Sequence, residues 1–247
     1  MSDALARMML AHGATNLWWT LVDEAWIDIA DGPSGGKHLD LYNTAGLRNP
    51  LMRSHTAGPP RFDGYSVYAK GDGTVDFPNP HVTQNWSLEF WARFDSSTTL
   101  RSIYQRGSTT NGVFVQTRNT TTPGIDVAIK YNSAEYKSRI PGGSINADEA
   151  AHVAISFATD TITSYVNGSV ITPGVGTLSV LSNSNLLIGD SSASNSQWML
   201  GWLGPIAQYQ NVALTAQQVA DHYRVARSWI DYAHRLNDPA VTLGLAI

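Results

Sequence analysis

The chain has 247 residues, 43% of them hydrophobic, enough to bury a full core, and all-β sandwiches of this length are commonly single domains. A formal net charge of −4, with Lys and Arg scattered singly, gives no long-range attraction for phosphate backbones or anionic lipid, so neither nucleic acid nor a membrane is an expected partner. The absence of cysteine excludes thiolate metal sites, cysteine nucleophiles and a disulfide framework.

Residues 1–10 include Asp3 and Arg7 and only a short apolar run, too broken for an export signal and too short to span a bilayer. The expectation is that nothing in this segment directs export. Residues 3–12 predict a short helix with Leu5, Met8 and Met9 on one face and Gly13 as its stop. From Asn16 the pattern changes to short β-like runs between Gly, Pro, Asn and Asp. Those runs are residues 17–22, 65–69, 86–94, 101–106, 112–118, 125–131, 151–157, 161–166, 185–188 and 201–211, with a Gly-rich loop at 31–36.

In the run at 86–94, Trp86, Leu88, Phe90 and Ala92 alternate with Ser87, Glu89, Trp91 and Arg93. The first set forms a core face. On the other face, Trp91 is either a partly exposed ring covered by a loop or a contact surface. Residues 151–166 read as a hairpin turned at Ala158-Thr159-Asp160. Asn167-Gly168 supplies a second tight turn, because both residues tolerate positive φ. Thr215 followed by Gln218 makes a capping box, and Val219, Tyr223, Ala226, Ile230 and Ala233 recur at spacings of four and three. This predicts an amphipathic helix of about five turns, ended by Asn237-Asp238-Pro239 and followed by an apolar tail at 240–247 expected to dock.

Several of these segments, in order, resemble laminin-G-like jelly rolls of the concanavalin-A-like lectin and glucanase superfamily. Leu17-Trp18-Trp19-Thr20-Leu21 with Asp23-Glu24 and Asp31-Gly32 is similar to the family's opening strand. Arg61-Phe62-Asp63-Gly64 followed by Trp86-Ser87-Leu88-Glu89-Phe90-Trp91 resembles its FDG turn and following strand. His152-Val153-Ala154, Tyr165-Val166-Asn167-Gly168, Leu187-Ile188-Gly189, Gly201 to Ala207, and Ala213-Leu214-Thr215 with Val219 to Tyr223 match its later motifs. The resemblance implies an all-β, antiparallel concanavalin-A-like sandwich carrying a short N-terminal and a C-terminal helix. The division is 1–15 as a helical arm, 16–214 as the sandwich and 215–247 as helix and tail. Family helices stop near the position of Tyr223, so the continuation through Arg224, Trp229 and Ile230 is a candidate assembly device.

Glucanases of this fold need two carboxylates flanking the glycosidic bond. The four glutamates here, Glu24, Glu89, Glu135 and Glu149, form no E-x-D-x-x-E arrangement, and no G-x-S-x-G elbow or histidine metal spacing exists. No catalytic residue is expected. His152 reads as a hydrogen-bonded structural residue, and His222, beside Asp221, as a solvated one. For calcium, which the superfamily often carries, Asp190 and Asn195 are the leading candidates and Asp160 a weaker one; each also reads as an ordinary turn residue. Trp18, Trp19, Trp198 and Trp202 are candidate sugar-stacking rings, with burial under a helix the competing reading. Tyr223, Ala226, Trp229 and Ile230 are candidate assembly residues, although packing on the sandwich predicts the same stripe.

The resulting expectation is a non-enzymatic structural or adhesion component of a bacteriophage virion, in the tail, fibre or head surface. Its expected partners are other virion proteins, copies of itself and a host surface glycan. The alternative is a soluble calcium-dependent carbohydrate-binding module.

Overall fold

The computed structural model describes residues 3–14, 16–18, 40–43, 61–63, 67–71, 85–94, 101–107, 112–117, 124–131, 134–146, 149–171, 174–175, 186–188 and 200–235. The elements are α1 (Asp3–Ala11), β1 (Asn16–Trp18), β2 (Asp40–Asn43), β3 (Arg61–Asp63), β4 (Val67–Gly71), β5 (Asn85–Phe94), β6 (Ser102–Gly107) and β7 (Gly112–Thr117). They continue with β8 (Ile125–Tyr131), β9 (Ala134–Ile140), β10 (Ala150–Ala158), β11 (Thr161–Val166), β12 (Ser169–Val170), β13 (Gly174–Val175), β14 (Leu186–Ile188), β15 (Leu200–Gln210) and α2 (Ala216–Arg235). Two antiparallel sheets result. One has the order β1-β15-β5-β10-β11-β12, with β3 also on β15 and β13 on β11; the other runs β2-β4-β14-β6-β7-β8-β9.

The sheets close on an apolar interior because β-strand side chains alternate between faces. Trp86, Leu88, Phe90, Ala92 and Phe94 of β5 and Val153, Ile155 and Phe157 of β10 meet Ile103, Val113, Val115, Val127 and Ile140 of the opposite sheet. Each of the Leu, Ile, Val and Phe side chains contributes about 1.5–3 kcal/mol by leaving water. Two polar bridges cross the interior: Tyr104 donates to Gln208 Oε1 at 2.9 Å, and the hydroxyls of Ser138 and Ser164 lie 2.9 Å apart.

The β10–β11 hairpin pairs Ala158 with Thr161. Asn167 and Gly168 turn into β12 with φ of 50° and 77°, as their residue types predict. In β15 the register with β5 shifts between Leu203 and Ile206. Gly204-Pro205 falls there, and proline has no N–H for the ladder, so a bulge is the compatible geometry. Rather than only preceding a strand, Arg61-Phe62-Asp63 is itself strand β3, paired with β15. Of the run at 17–22, the described part is strand to Trp18 only.

Strand β9 went unpredicted because Glu135, Lys137 and Arg139 interrupt any apolar run. It ends the second sheet's order with exposed charges, a common way to discourage further pairing. Glu135 pairs with Lys137 at 3.0 Å and Arg139 with Asp126 at 3.4 Å.

A second apolar layer covers the outer face of the first sheet. Leu5 and Met9 of α1, and Leu214, Val219 and Ala226 of the C-terminal segment, pack with Trp91, Ala154, Ala207 and Tyr209. Helix α2 opens on the expected capping box: Gln218 N–H donates to Thr215 Oγ1 (3.3 Å), and Thr215 N–H donates to Gln218 Oε1 (2.9 Å). Helix α1 ends at Gly13, whose φ is 92°, with Ala14 N–H donating to the Met9 carbonyl. Among the described residues no helix is long and apolar enough to cross a membrane.

Candidate functional site

The outer face of β5 is polar and yet sealed. Ser87, Glu89 and Trp91 have no exposed surface, and Arg93 has almost none. Ser87 ties down the approach to α2: its Oγ accepts from Leu214 N–H at 2.9 Å and donates to the Val212 carbonyl at 3.0 Å.

Glu89 is the centre of a buried cluster. An isolated carboxylate there would be strongly disfavoured, so its acceptor oxygens must be matched by donors. His152 of β10 places Nε2 3.0 Å from Oε2, and His222 of α2 places Nδ1 2.9 Å from Oε1 and 3.1 Å from Oε2. The Tyr209 hydroxyl of β15 donates to Oε1. Burial pushes the Glu89 carboxyl upward, but the hydrogen bonds from the two histidines, and after them the electrostatic pull of their rings, outweigh it and hold it down at about 2. Glu89 is therefore ionised, and both imidazoles donate to it.

The partners are fixed in turn. His152 stacks on Trp91, centroids 4.3 Å apart and planes 18° from parallel. Its backbone N–H donates to Asn167 Oδ1 at 2.9 Å, and Asn167 N–H donates to the His152 carbonyl at 2.8 Å. His152 Nδ1 has no hydrogen-bond partner. A proton there would be buried and unmatched, and burial accordingly lowers the pKa of this imidazole despite Glu89. Burial, then the Glu89 charge, raises the Tyr209 hydroxyl well above its ordinary value, so it stays a neutral donor. His222 carries the chain of contacts outward: its Nε2 lies 2.8 Å from Nδ1 of His12, just beyond α1.

His222 is thus fully buried, which corrects its expected solvated state; the i, i+3 contact of Asp221 goes to Arg224 instead, at 2.7 Å. Trp91 is likewise fully buried under helices, so it is neither a loop-covered, partly exposed ring nor a contact surface. Ala226 is buried in the helix-covered layer and Tyr223 packs against it, both within this chain. Trp229 and Ile230 lie on α2, with side chains outside the described residues. So are the side chains of Trp18, in β1 opposite Ile206, and Trp202, in β15 opposite Arg93. Trp19, Trp198, Asp190 and Asn195 lie wholly outside them. Asp160 is exposed in the β10–β11 turn, and no group of three or more acidic or imidazole ligands among the described residues is arranged to hold a metal.

The sequence reading missed Glu89, His222, Tyr209 and His12 as a unit. The available signal was a carboxylate in the middle of a strand otherwise suited to burial; its partners lie up to 133 residues away.

The profile of the concanavalin A-like lectin/glucanases superfamily, in its laminin-G form, matches residues 69–220. The chain belongs to that superfamily. The matched stretch includes Glu89, His152, Asn167-Gly168 and Tyr209, whereas His12 and His222 fall outside it. No curated protein matches the sequence. Solved structures share the concanavalin A-like fold. The binding domain of botulinum neurotoxin serotype D superposes with a TM-score of 0.64 at 11% identity, over 88% of this chain and 52% of that one. The receptor binding domain of a botulinum neurotoxin mosaic serotype C/D gives 0.61 at 13%, over 87% and 51%. This chain spans about half the length of each, and at such identities the likeness establishes fold alone. It is a lectin-like jelly-roll domain.

Proposed function

We propose that this chain is a non-enzymatic structural or adhesion component of a bacteriophage virion, a minor tail, fibre or head-surface protein displaying its lectin-like domain. The observation that carries the non-enzymatic part is the sealing of the Glu89 cluster. Its carboxylate and two flanking imidazoles have no exposed surface, and their donors are spent on one another. A general acid or base must reach the proton it transfers, and a substrate cannot enter here without lifting both helices. Among the described glutamates, Glu135 is paired with Lys137 and Glu149 accepts from Asn146 at 2.7 Å, which leaves no pair suited to glycoside hydrolysis.

The virion setting draws support from a lectin-like fold whose helix α2 continues to Arg235, past the end of the family match at residue 220. Its partners would be other virion proteins and further copies of the chain, with Trp229 and Ile230 as the first residues to test for assembly. Copurification decides it: the protein is expected in fixed stoichiometry with intact particles by quantitative mass spectrometry, and its absence from purified particles overturns the proposal.

The alternative, a soluble carbohydrate-binding module, draws support from neighbours that are themselves receptor binding domains. Glycan binding that requires calcium and is lost on Trp198→Ala or Trp202→Ala, without particle association, selects it. Asp190 and Asn195 are then the proposed calcium ligands, with Asp160 the third candidate.

A further inference from the structure

Two imidazoles from opposite ends of the chain meet at the rim of the cluster. His12 Nδ1 and His222 Nε2 are 2.8 Å apart, with ring centroids 4.9 Å apart and planes 29° from parallel. The Nδ1–H of His222 is committed to Glu89. The contact with His12 therefore holds with one proton between the two nitrogens, donated from either side. A second proton sets N–H against N–H and brings two positive charges together in a partly buried contact.

The surrounding groups offset that charge only in part. Glu89 of β5 sits behind His222 and is occupied by three donors. Asp221 of α2 accepts from Arg224 at 2.7 Å and Gln217 at 3.1 Å. His152 of β10 and Tyr209 of β15 are neutral neighbours of the carboxylate. Burial first, then the charge of His222, lowers the pKa of His12 against the weaker opposing pull of Asp221 and Glu89. A nine-residue helix has little stability of its own, so α1 depends on its docking contacts.

We propose that α1 is an acid-released clasp: one shared proton between His12 and His222 holds it to α2, and a second proton entering that contact at His12 frees it. Release uncovers the Leu5 and Met9 face while Glu89 keeps α2 seated. The sign follows from linkage. The released state binds the extra proton more tightly, so falling pH favours release, by up to about tenfold per pH unit below about pH 6.5.

Amide hydrogen exchange on the full chain at pH 7.5 and 5.5, corrected for intrinsic rates, tests this. Protection of α1 is expected to drop severalfold at the lower pH while β5, β10 and α2 retain theirs. His12→Gln, which hydrogen-bonds without titrating, is expected to show equal α1 protection at both pH values. Wild-type α1 protection that ignores pH, that falls together with α2, or that falls equally in His12→Gln overturns the proposal. If the variant does not fold, the wild-type comparison of α1 with α2 decides alone.

Discussion

The two faces of β5 are equally buried and chemically opposite. Inward, Trp86, Leu88, Phe90, Ala92 and Phe94 meet the second sheet through dispersion and exclusion of water, and neighbouring apolar shapes can substitute for one another. Outward, Ser87 and Glu89 are buried by having particular partners: the Val212–Leu214 segment for Ser87, and His152, His222 and Tyr209 for Glu89. The inner face makes a sandwich. The outer face specifies which segments cover it and in what register, since a displaced helix would strand a buried charge.

Truncating each face separates these roles. Glu89→Ala leaves three buried donors without their acceptor and is expected to cost about 3–5 kcal/mol in urea unfolding. It should also loosen α2, read as increased hydrogen exchange along that helix at pH 7. Leu88→Ala, one residue away on the inner face, is expected to cost about 2–5 kcal/mol while leaving exchange along α2 close to wild type relative to the strands. Equal loosening of α2 in both variants would erase the distinction between the faces.

Smaller changes probe how the helix is seated. Gly168 has φ of 77°, and a Cβ there would lie 3.2 Å from Ala220 Cα and Tyr223 Cβ. Gly168→Ala therefore strains the turn and pushes against α2, with an expected loss of about 1–3 kcal/mol. Thr215→Ala removes the N-cap, for about 1 kcal/mol, detectable as a lower thermal midpoint with the pH dependence unchanged.

Much of the fold was legible because it rests on local rules. The apolar alternation in β5, the Asn167-Gly168 turn and the Thr215/Gln218 cap are each written within a few residues. Strand β9 was illegible because its edge position favours charge over alternating apolar residues. The cluster was illegible for a different reason. Glu89, His152, Tyr209, His222 and His12 each look ordinary alone, and only pairing of β5 with β10 and β15, then coverage by α2, brings them together. On a helix beside the charged Asp221, His222 reads as solvated, yet it falls on the stripe with Val219 and Ala226 that faces the sheet.

The central claim, that an ionised Glu89 anchors the helices, has a direct measurement: unfolding free energy against pH for wild type and Glu89→Gln. A carboxyl held at about 2 in the fold contributes stability that is fully present above its ordinary value of 4.5 and lost as pH falls through about 2. The wild-type advantage should therefore be largest near neutrality and shrink by about 3 kcal/mol between pH 4.5 and 2. An advantage that stays constant across that range, or grows as the pH falls, would contradict the anchor.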